Sequence, residues 1–506
     1  MPQQATSSSP ASTGVVGLDT VLGGGVTPER LYLVEGTPGT GKTTLGLGFL
    51  LAGVALREVG LYVTLAETEV ELRAVAATHG WSLDPITIFE MVPADGLSDE
   101  HEQTLLHPSE VELGETVRAI MARVDELRPA RVVIDSLSEL RLLAQNPVRY
   151  RRQILALKHF FATRHCTVLV LDDKSASGGD LQLHSIAHGV LSLEQTLSGF
   201  GAQRRRLHVV KMRGMRYSGG YHDFEIERGG LNVFPRLVAA EHGVVPEMPF
   251  VSTGLAGFDA LLGGGLVPGT ATLLTGPAGV GKTTATVQCM TAALRRGEHV
   301  AYFLFDERAP TLLSRSRALG MDLQPYIDTG QLNLRAIDPA ELSPGEFAAT
   351  VRASVEKDAA RMIAIDSLNA YLQSMPSEQF LVLQMHEMLT YLGQRGVVTM
   401  LILGMHGIMG DVRADVDLSY LADTAVQLRY FEAFGAVRQA ISVIKTRTAQ
   451  HERTIREFSV GPGGIMLGEP LQHFQGILTG VPTFSGEGKT LLAATAGQDD
   501  PGTPHA

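Results

Sequence analysis

Two stretches of this chain have the composition to cradle a polyphosphate. Gly36-Thr37-Pro38-Gly39-Thr40-Gly41-Lys42-Thr43, followed by Thr44, fits G-x-x-x-x-G-K-[ST]. Gly276-Pro277-Ala278-Gly279-Val280-Gly281-Lys282-Thr283, followed by Thr284, fits it again. Each stretch follows a run that reads as a strand and opens one that reads as a helix. In that setting the glycines let backbone N–H groups converge on phosphate oxygens, and the helix N-terminus adds partial positive charge. Lys42 and Lys282 are expected to reach the β- and γ-phosphates of ATP, with the Thr43 and Thr283 hydroxyls on Mg²⁺. A structural glycine turn carrying a solvated lysine does not account for two copies in the same context.

A magnesium–nucleotide site also needs a carboxylate at the end of a neighbouring apolar strand. Asp135 closes Arg131-Val-Val-Ile and Asp366 closes Met362-Ile-Ala-Ile, so both are expected to serve the metal rather than merely cap the next helix. Hydrolysis or phosphoryl transfer further needs a base or a group that orients water. Glu67 in the first stretch, and Asp306 with Glu307 in the second, follow the next strand of each copy and are the catalytic candidates. The plainer role for acids there is to favour a helix start through the dipole.

The elements that must position these residues occur twice. Thr13-Gly-Val-Val-Gly-Leu-Asp19 recurs as Thr253-Gly-Leu-Ala-Gly-Phe-Asp259, an offset of 240 (253 − 13), which the phosphate loops share. The Ile-Asp-Ser-Leu segments around Asp135 and Asp366 sit 231 apart (366 − 135), so the first copy carries an extra loop near 95–108. Lys211-Met-Arg213 and Lys445-Thr-Arg447 are 234 apart (445 − 211). Order and spacing therefore describe a duplication. Short apolar strands alternate with helices in each copy, which predicts an α/β fold with a mainly parallel sheet covered on both faces. Strands are expected at 31–35, 61–65, 86–92, 131–135 and 168–171. Later segments at 190–194, 206–212 and 224–227 are spaced like antiparallel strands. The expected organisation is a mobile tail over 1–12, one domain over 13–243, a second over 244–484, and a second mobile tail over 485–506.

With 506 residues, 44% hydrophobic and 19% charged, the chain is neither disordered nor a coiled coil. A net charge of −12, from 42 basic and 54 acidic residues, argues against a general nucleic-acid or anionic-membrane surface. Two cysteines, Cys166 and Cys289, leave no disulfide framework or Cys-rich zinc site. The N-terminal segment lacks the order of a signal peptide, and no apolar stretch is long enough to span a membrane, so the expected location is cytoplasmic.

Taken together, the ordered set over residues 13–484 resembles the KaiC-like, RecA-type ATPases in their double-domain form. The resemblance rests on the paired Gly-x-Asp and Leu-Gly-Gly-Gly openings, both phosphate loops, both Ile-Asp-Ser-Leu strands, and Arg204-Arg-Arg-Leu-His-Val-Val-Lys-Met-Arg-Gly214. It implies two tandem RecA-like P-loop NTPase domains assembled as a homo-oligomeric ring, usually a hexamer, with Mg-ATP at subunit interfaces. Lys211, Arg213, Lys445 and Arg447 match family residues that reach the neighbour's ATP, where a cation neutralises developing phosphoryl charge. The family often has two adjacent glutamates after the second strand, whereas this chain has Ala66-Glu67 and Asp306-Glu307. Clock-type members carry a Ser-Thr acceptor pair where this chain has Ser419-Tyr420, and a further Thr is replaced by Ala414. A clock role is therefore not implied. The resemblance leads to an ATPase with serine autophosphorylation at Ser419 and a role in signalling or timing with unidentified protein partners. The alternatives are a DNA-dependent motor and an ATP-cemented scaffold with little catalysis. The Arg204–Arg206 cluster is expected beside the Lys-x-Arg pair.

Overall fold

The computed structural model describes residues 9–91, 108–144, 146–174, 181–197, 201–239, 248–373, 378–405, 407, 420–447, 450–478 and 482–485. Ser419, Ala414, most of the 95–108 loop, residues 1–8 of the first expected tail and all of the second but Ser485 lie outside these residues. The chain divides into two compact units, Met1–Arg236 and Leu237–Ala506.

The strands of the first unit are β1 (Leu31–Gly36), β2 (Gly60–Thr64), β3 (Thr87–Glu90), β4 (Arg131–Asp135), β5 (Thr167–Asp173), β6 (Gly189–Thr196), β7 (Arg204–Met212), β8 (Tyr221–Glu227) and β9 (Gly230–Phe234). They form one sheet in the order β3-β2-β4-β5-β1-β6-β7-β8-β9. The helices are α1 (Val16–Val21), α2 (Lys42–Ala55), α3 (Glu69–Thr78), α4 (Pro108–Leu127), α5 (Leu137–Ala144), α6 (Pro147–Ala162) and α7 (Leu181–Ile186). Every residue of β1 is buried, as a strand covered on both faces requires. Its alternation decides which face each side chain serves. Tyr32 and Val34 join Leu45, Phe49 and Leu50 of α2 on one side. Leu31 and Leu33 join Leu137 and Leu140 of α5, with Ile154 and Leu157 of α6, on the other.

One expectation about topology fails. The 190–194 segment, read as antiparallel, lies in β6, which runs parallel to β1 in the register Tyr32↔Gly189 to Gly36↔Leu193. Antiparallel pairing begins only between β6 and β7 and continues through β8 and β9. A strand with one parallel and one antiparallel neighbour has a mixed environment that spacing to the next strand cannot reveal.

The second unit repeats the plan. Its strands are β10 (Ala271–Gly276), β11 (His299–Leu304), β12 (Leu332–Ala336), β13 (Ala360–Asp366), β14 (Val398–Gly404), β15 (Thr424–Ala433), β16 (Ala436–Thr446), β17 (Arg456–Gly461) and β18 (Gly464–Pro470), ordered β12-β11-β13-β14-β10-β15-β16-β17-β18. A small hairpin pairs β19 (Phe474–Gln475) with β20 (Thr483–Phe484). Its helices are α8 (Ala256–Leu261), α9 (Lys282–Arg295), α10 (Ala309–Ala318), α11 (Gln324–Asp328), α12 (Pro344–Glu356), α13 (Leu368–Gln373) and α14 (Glu378–Gln394).

The repeated opening motif has a structural task. Asp19 Oδ1 accepts from the Thr13 backbone N–H and hydroxyl, both at 2.7 Å. Asp259 does the same with Thr253 at 2.7 and 2.6 Å. Each short entry helix is thereby pinned by its own aspartate, which makes up for the missing cap on so short an element.

Candidate functional site

In each unit the parallel strands end at one edge. Register places Thr64 beside Asp135, Asp135 beside Leu171, and Gly36 beside Asp173. The phosphate loop therefore leaves β1 next to the ends of β4 and β5, the sheet edge where ligands of such folds gather. Gly41, at φ 91°, starts α2 from the left-handed region, and a Cβ there would meet Ile226 at 2.8 Å. Only glycine makes that turn without strain. Gly281, at φ 108°, does the same before α9.

The first loop is folded onto itself. Lys42 Nζ donates to the carbonyls of Gly36 at 2.9 Å and Thr37 at 3.1 Å, and lies 2.7 Å from an Asp173 carboxylate oxygen. Thr43 Oγ1 donates to Asp135 Oδ2 at 3.0 Å, and the Tyr62 hydroxyl donates to the same oxygen at 2.6 Å. Burial pushes the Asp135 carboxyl up, and the two hydroxyl donors oppose that shift by stabilising its charge. Thr43 and Asp135 thus form a hard-oxygen pair of the kind Mg²⁺ prefers, and the residues fit the ion.

Glu67 follows β2 in a tight turn, its N–H donating to Thr64 Oγ1 at 3.0 Å and its carbonyl accepting from that hydroxyl at 2.6 Å. Thr68 then caps α3 through a capping box with Glu71. The helix start is therefore served by Thr68 and Glu71, which leaves the Glu67 side chain for other work. Its Oε2 is buried without a hydrogen-bond partner, and burial, then the charge of Asp135, raise its carboxyl above the usual range.

The second unit holds the same core. Lys282 Nζ donates to Gly276 O at 2.8 Å and Pro277 O at 2.7 Å, and burial lowers the pKa of its ammonium. Thr283 and Tyr302 both donate to Asp366 Oδ2, at 2.7 and 2.9 Å. The acids differ from those of the first unit. Asp306 accepts a short hydrogen bond from Ser367 Oγ, and Glu307 is bound by Arg315 at 2.9 Å.

The Lys-x-Arg pairs are not brought to their own phosphate loops. Lys211 pairs with Val190, which pairs with Leu33, three residues and about 10 Å before Gly36 along the strand. Lys445 stands level with Leu273 in the same way. Lys211 donates to the carbonyl of His184 and Arg213 to that of Ser185 at 2.9 Å; Lys445 donates to Ala422 O at 3.1 Å and Arg447 to Tyr420 O at 2.8 Å. All four therefore face the sheet edge opposite the phosphate loop.

The Arg204–Arg206 cluster corrects an expectation. It lies not beside Lys211 but at the far end of β7, where Arg206 pairs with Glu194 and stacks 4.1 Å from the Tyr221 ring centroid. Five to seven residues of extended chain separate it from Lys211, about 20 Å. Sequence reasoning missed Asp173, Tyr62 and Tyr302. An acid at the end of β5, and a tyrosine in the strand beside each metal-site aspartate, were the signals available.

Among the described residues, no helix is long and apolar enough to cross a membrane. A family model described as KaiC ATPase matches residues 11–238 and, a second time, residues 251–472. The circadian clock oscillator protein KaiC of a Picosynechococcus species is 26% identical over 483 residues, covering 93% of this chain and 92% of that one. The protein of the same name from Synechococcus elongatus is 26% identical over 488 residues, covering 93% and 91%. That of Thermostichus vulcanus is 26% identical over 502 residues, covering 96% and 94%.

Proposed function

Because the chain belongs to the KaiC family of ATPases, with the RecA-like domain present twice, we propose that it is a ring-forming ATPase acting as a signalling or timing switch. The observation that carries this reading is shared by both units. A lysine, a threonine and an aspartate converge at one sheet edge, while the Lys-x-Arg cations stand at the other. A cation at the far edge serves no nucleotide of its own unit but suits a neighbour's, the arrangement of an arginine finger supplied in trans. We take the assembly to be a homo-hexamer with Mg-ATP between subunits. The domains proposed are 13–243 and 244–484.

In each site the loop N–H groups and the lysine bind the phosphates, and the lysine leaves its loop carbonyls to do so. Thr43 with Asp135, and Thr283 with Asp366, hold the Mg²⁺. The metal, when bound, neutralises charge on the β- and γ-phosphoryl oxygens. Glu67 in the first unit takes a proton from the attacking water, since its free buried oxygen has no other task. In the second unit Glu307 or Asp306 takes this role.

We further propose that the second unit phosphorylates Ser419. The Ser419 oxygen attacks the γ-phosphorus of the neighbour's ATP, its proton passes to Asp306 or Glu307 of that neighbouring subunit, and ADP leaves. Support comes from Tyr420, the residue that follows Ser419 in sequence, which is exposed and whose carbonyl accepts from Arg447, one of the proposed trans cations. The phosphate would add about −1.5 to −2 charge at a subunit seam, enough to bias ring packing.

Light scattering with and without Mg-ATP tests the assembly, and a chain that stays monomeric in both overturns it. Intact mass spectrometry after incubation with Mg-ATP tests the kinase step. Wild type is expected to gain a phosphate and Ser419→Ala to gain none. A wild type that hydrolyses ATP without gaining mass is an ATPase alone.

A further inference from the structure

We propose that Asp173 makes the first phosphate loop favour a nucleoside diphosphate over a triphosphate, a feature the second loop lacks. The inference rests on the reading of that loop as a nucleotide site. An ammonium group has three N–H donors. In the first unit all three have acceptors: the carbonyls of Gly36 and Thr37, and Asp173 at 2.7 Å. In the second unit Lys282 has the two corresponding carbonyls and, among the described residues, no carboxylate.

Register fixes the equivalence. Gly36 pairs with Asp173 in the first sheet, and Gly276 pairs with Gly404 in the second. The position that presents a carboxylate to Lys42 therefore presents no side chain to Lys282. Gly404 is tied instead by its backbone to the Asn369 side chain, at 2.6 and 3.1 Å.

A P-loop lysine serves both β- and γ-phosphates. With a diphosphate, Lys42 gives up its loop carbonyls to the β-phosphate and keeps Asp173 on the remaining N–H. A triphosphate asks for that N–H as well and brings its charge against Asp173. Glu67 and Asp135 already stand in the field of the same carboxylate, so negative charge has few places to move. Lys42 is 9% exposed and Asp173 42%, which places the pair between a buried and a surface ion pair in strength.

The test uses the full chain with Lys282→Ala, so that the first loop reports alone. Calorimetric titrations compare Mg-ADP with a Mg-bound non-hydrolysable ATP analogue. Asp173→Asn, which keeps the shape, is expected to tighten the triphosphate analogue roughly tenfold and the diphosphate less than about twofold. Asp173→Gly, which copies the second unit, is expected to give the same ratio, and Gly404→Asp in a Lys42→Ala chain the reverse one. An unchanged ratio, or equal tightening of both nucleotides, overturns the proposal while leaving the site a nucleotide site. A Lys282→Ala chain that binds neither nucleotide removes the nucleotide reading of the first loop, and this inference with it.

Discussion

The two units place the same lysine, threonine, aspartate and tyrosine at the same sheet edge, yet surround them with opposite acids. In the first, a carboxylate caps the lysine and the candidate base Glu67 is left without a partner. In the second, the lysine is uncapped and the candidate bases are engaged, Asp306 by Ser367 and Glu307 by Arg315. The binding core of a duplicated fold is thus retained, while the groups that decide rate and occupancy are free to diverge. On the proposed reading, one site resists a triphosphate but has a candidate base at hand, and the other admits it readily but must release its candidate base.

The sharpest way to break this comparison is to remove each lysine. Lys42→Ala and Lys282→Ala are each expected to lower turnover at their own site by about 10²–10³-fold, the scale of a lost preorganised donor. If total ATPase falls in one variant only, the other unit does not turn over. Next in size, Glu67→Gln in the Lys282→Ala chain is expected to lower turnover about 10²-fold, the low end for general-base assistance. The pH profile carries the sign. A raised Glu67 must lose its proton to act, so first-site activity rises with pH through a value above the ordinary glutamate range. The folded state binds this proton more tightly than the unfolded chain, so the group costs stability as pH rises from the unfolded value through the raised folded one. Glu67→Gln is accordingly expected to raise the first unit's melting temperature at neutral pH by about 1–2 °C, and a drop would contradict the burial argument.

Smaller, and equal in both units, is the effect of Tyr62→Phe and Tyr302→Phe. Each removes one donor from the metal-site aspartate and is expected to lower turnover at its site about tenfold, the worth of a hydrogen bond to a charged group. Unequal losses would show that the shared geometry hides different roles. Smallest is Arg315→Ala, which frees Glu307. That pair is partly exposed, so stability should change by only about 0–1 kcal/mol in a denaturant titration, while second-site turnover rises.

The strand positions of the parallel half, both phosphate loops and the paired aspartates could be read from the sequence because each is a local pattern: an apolar run, a glycine spacing, a strand-ending acid. What escaped was set by pairing. β6 is an ordinary apolar strand by composition, and only its register with β1 makes it parallel. Asp173 lies more than a hundred residues from Lys42, and its acid neighbour Asp172 gives no hint of which one turns toward the loop. The Arg204–Arg206 cluster was misplaced because neighbours in sequence along a strand are far apart in space; an extended chain keeps contiguous residues at separate ends of the sheet.

That separation along β7 has a genetic meaning. In the proposed ring, Lys211 and Arg213 complete a neighbour's site, never their own, so every interface is head-to-tail and the loss of these cations is felt one subunit away. A mutant allele lacking them would poison partners whose own sequence is intact. Mixed with an allele lacking Lys42, it would complement wherever a chain with good fingers follows one with a good loop. Activity in such mixed rings would follow the order of subunits around the circle rather than their average, and a single expression ratio would separate a ring that reads its neighbours from six independent enzymes.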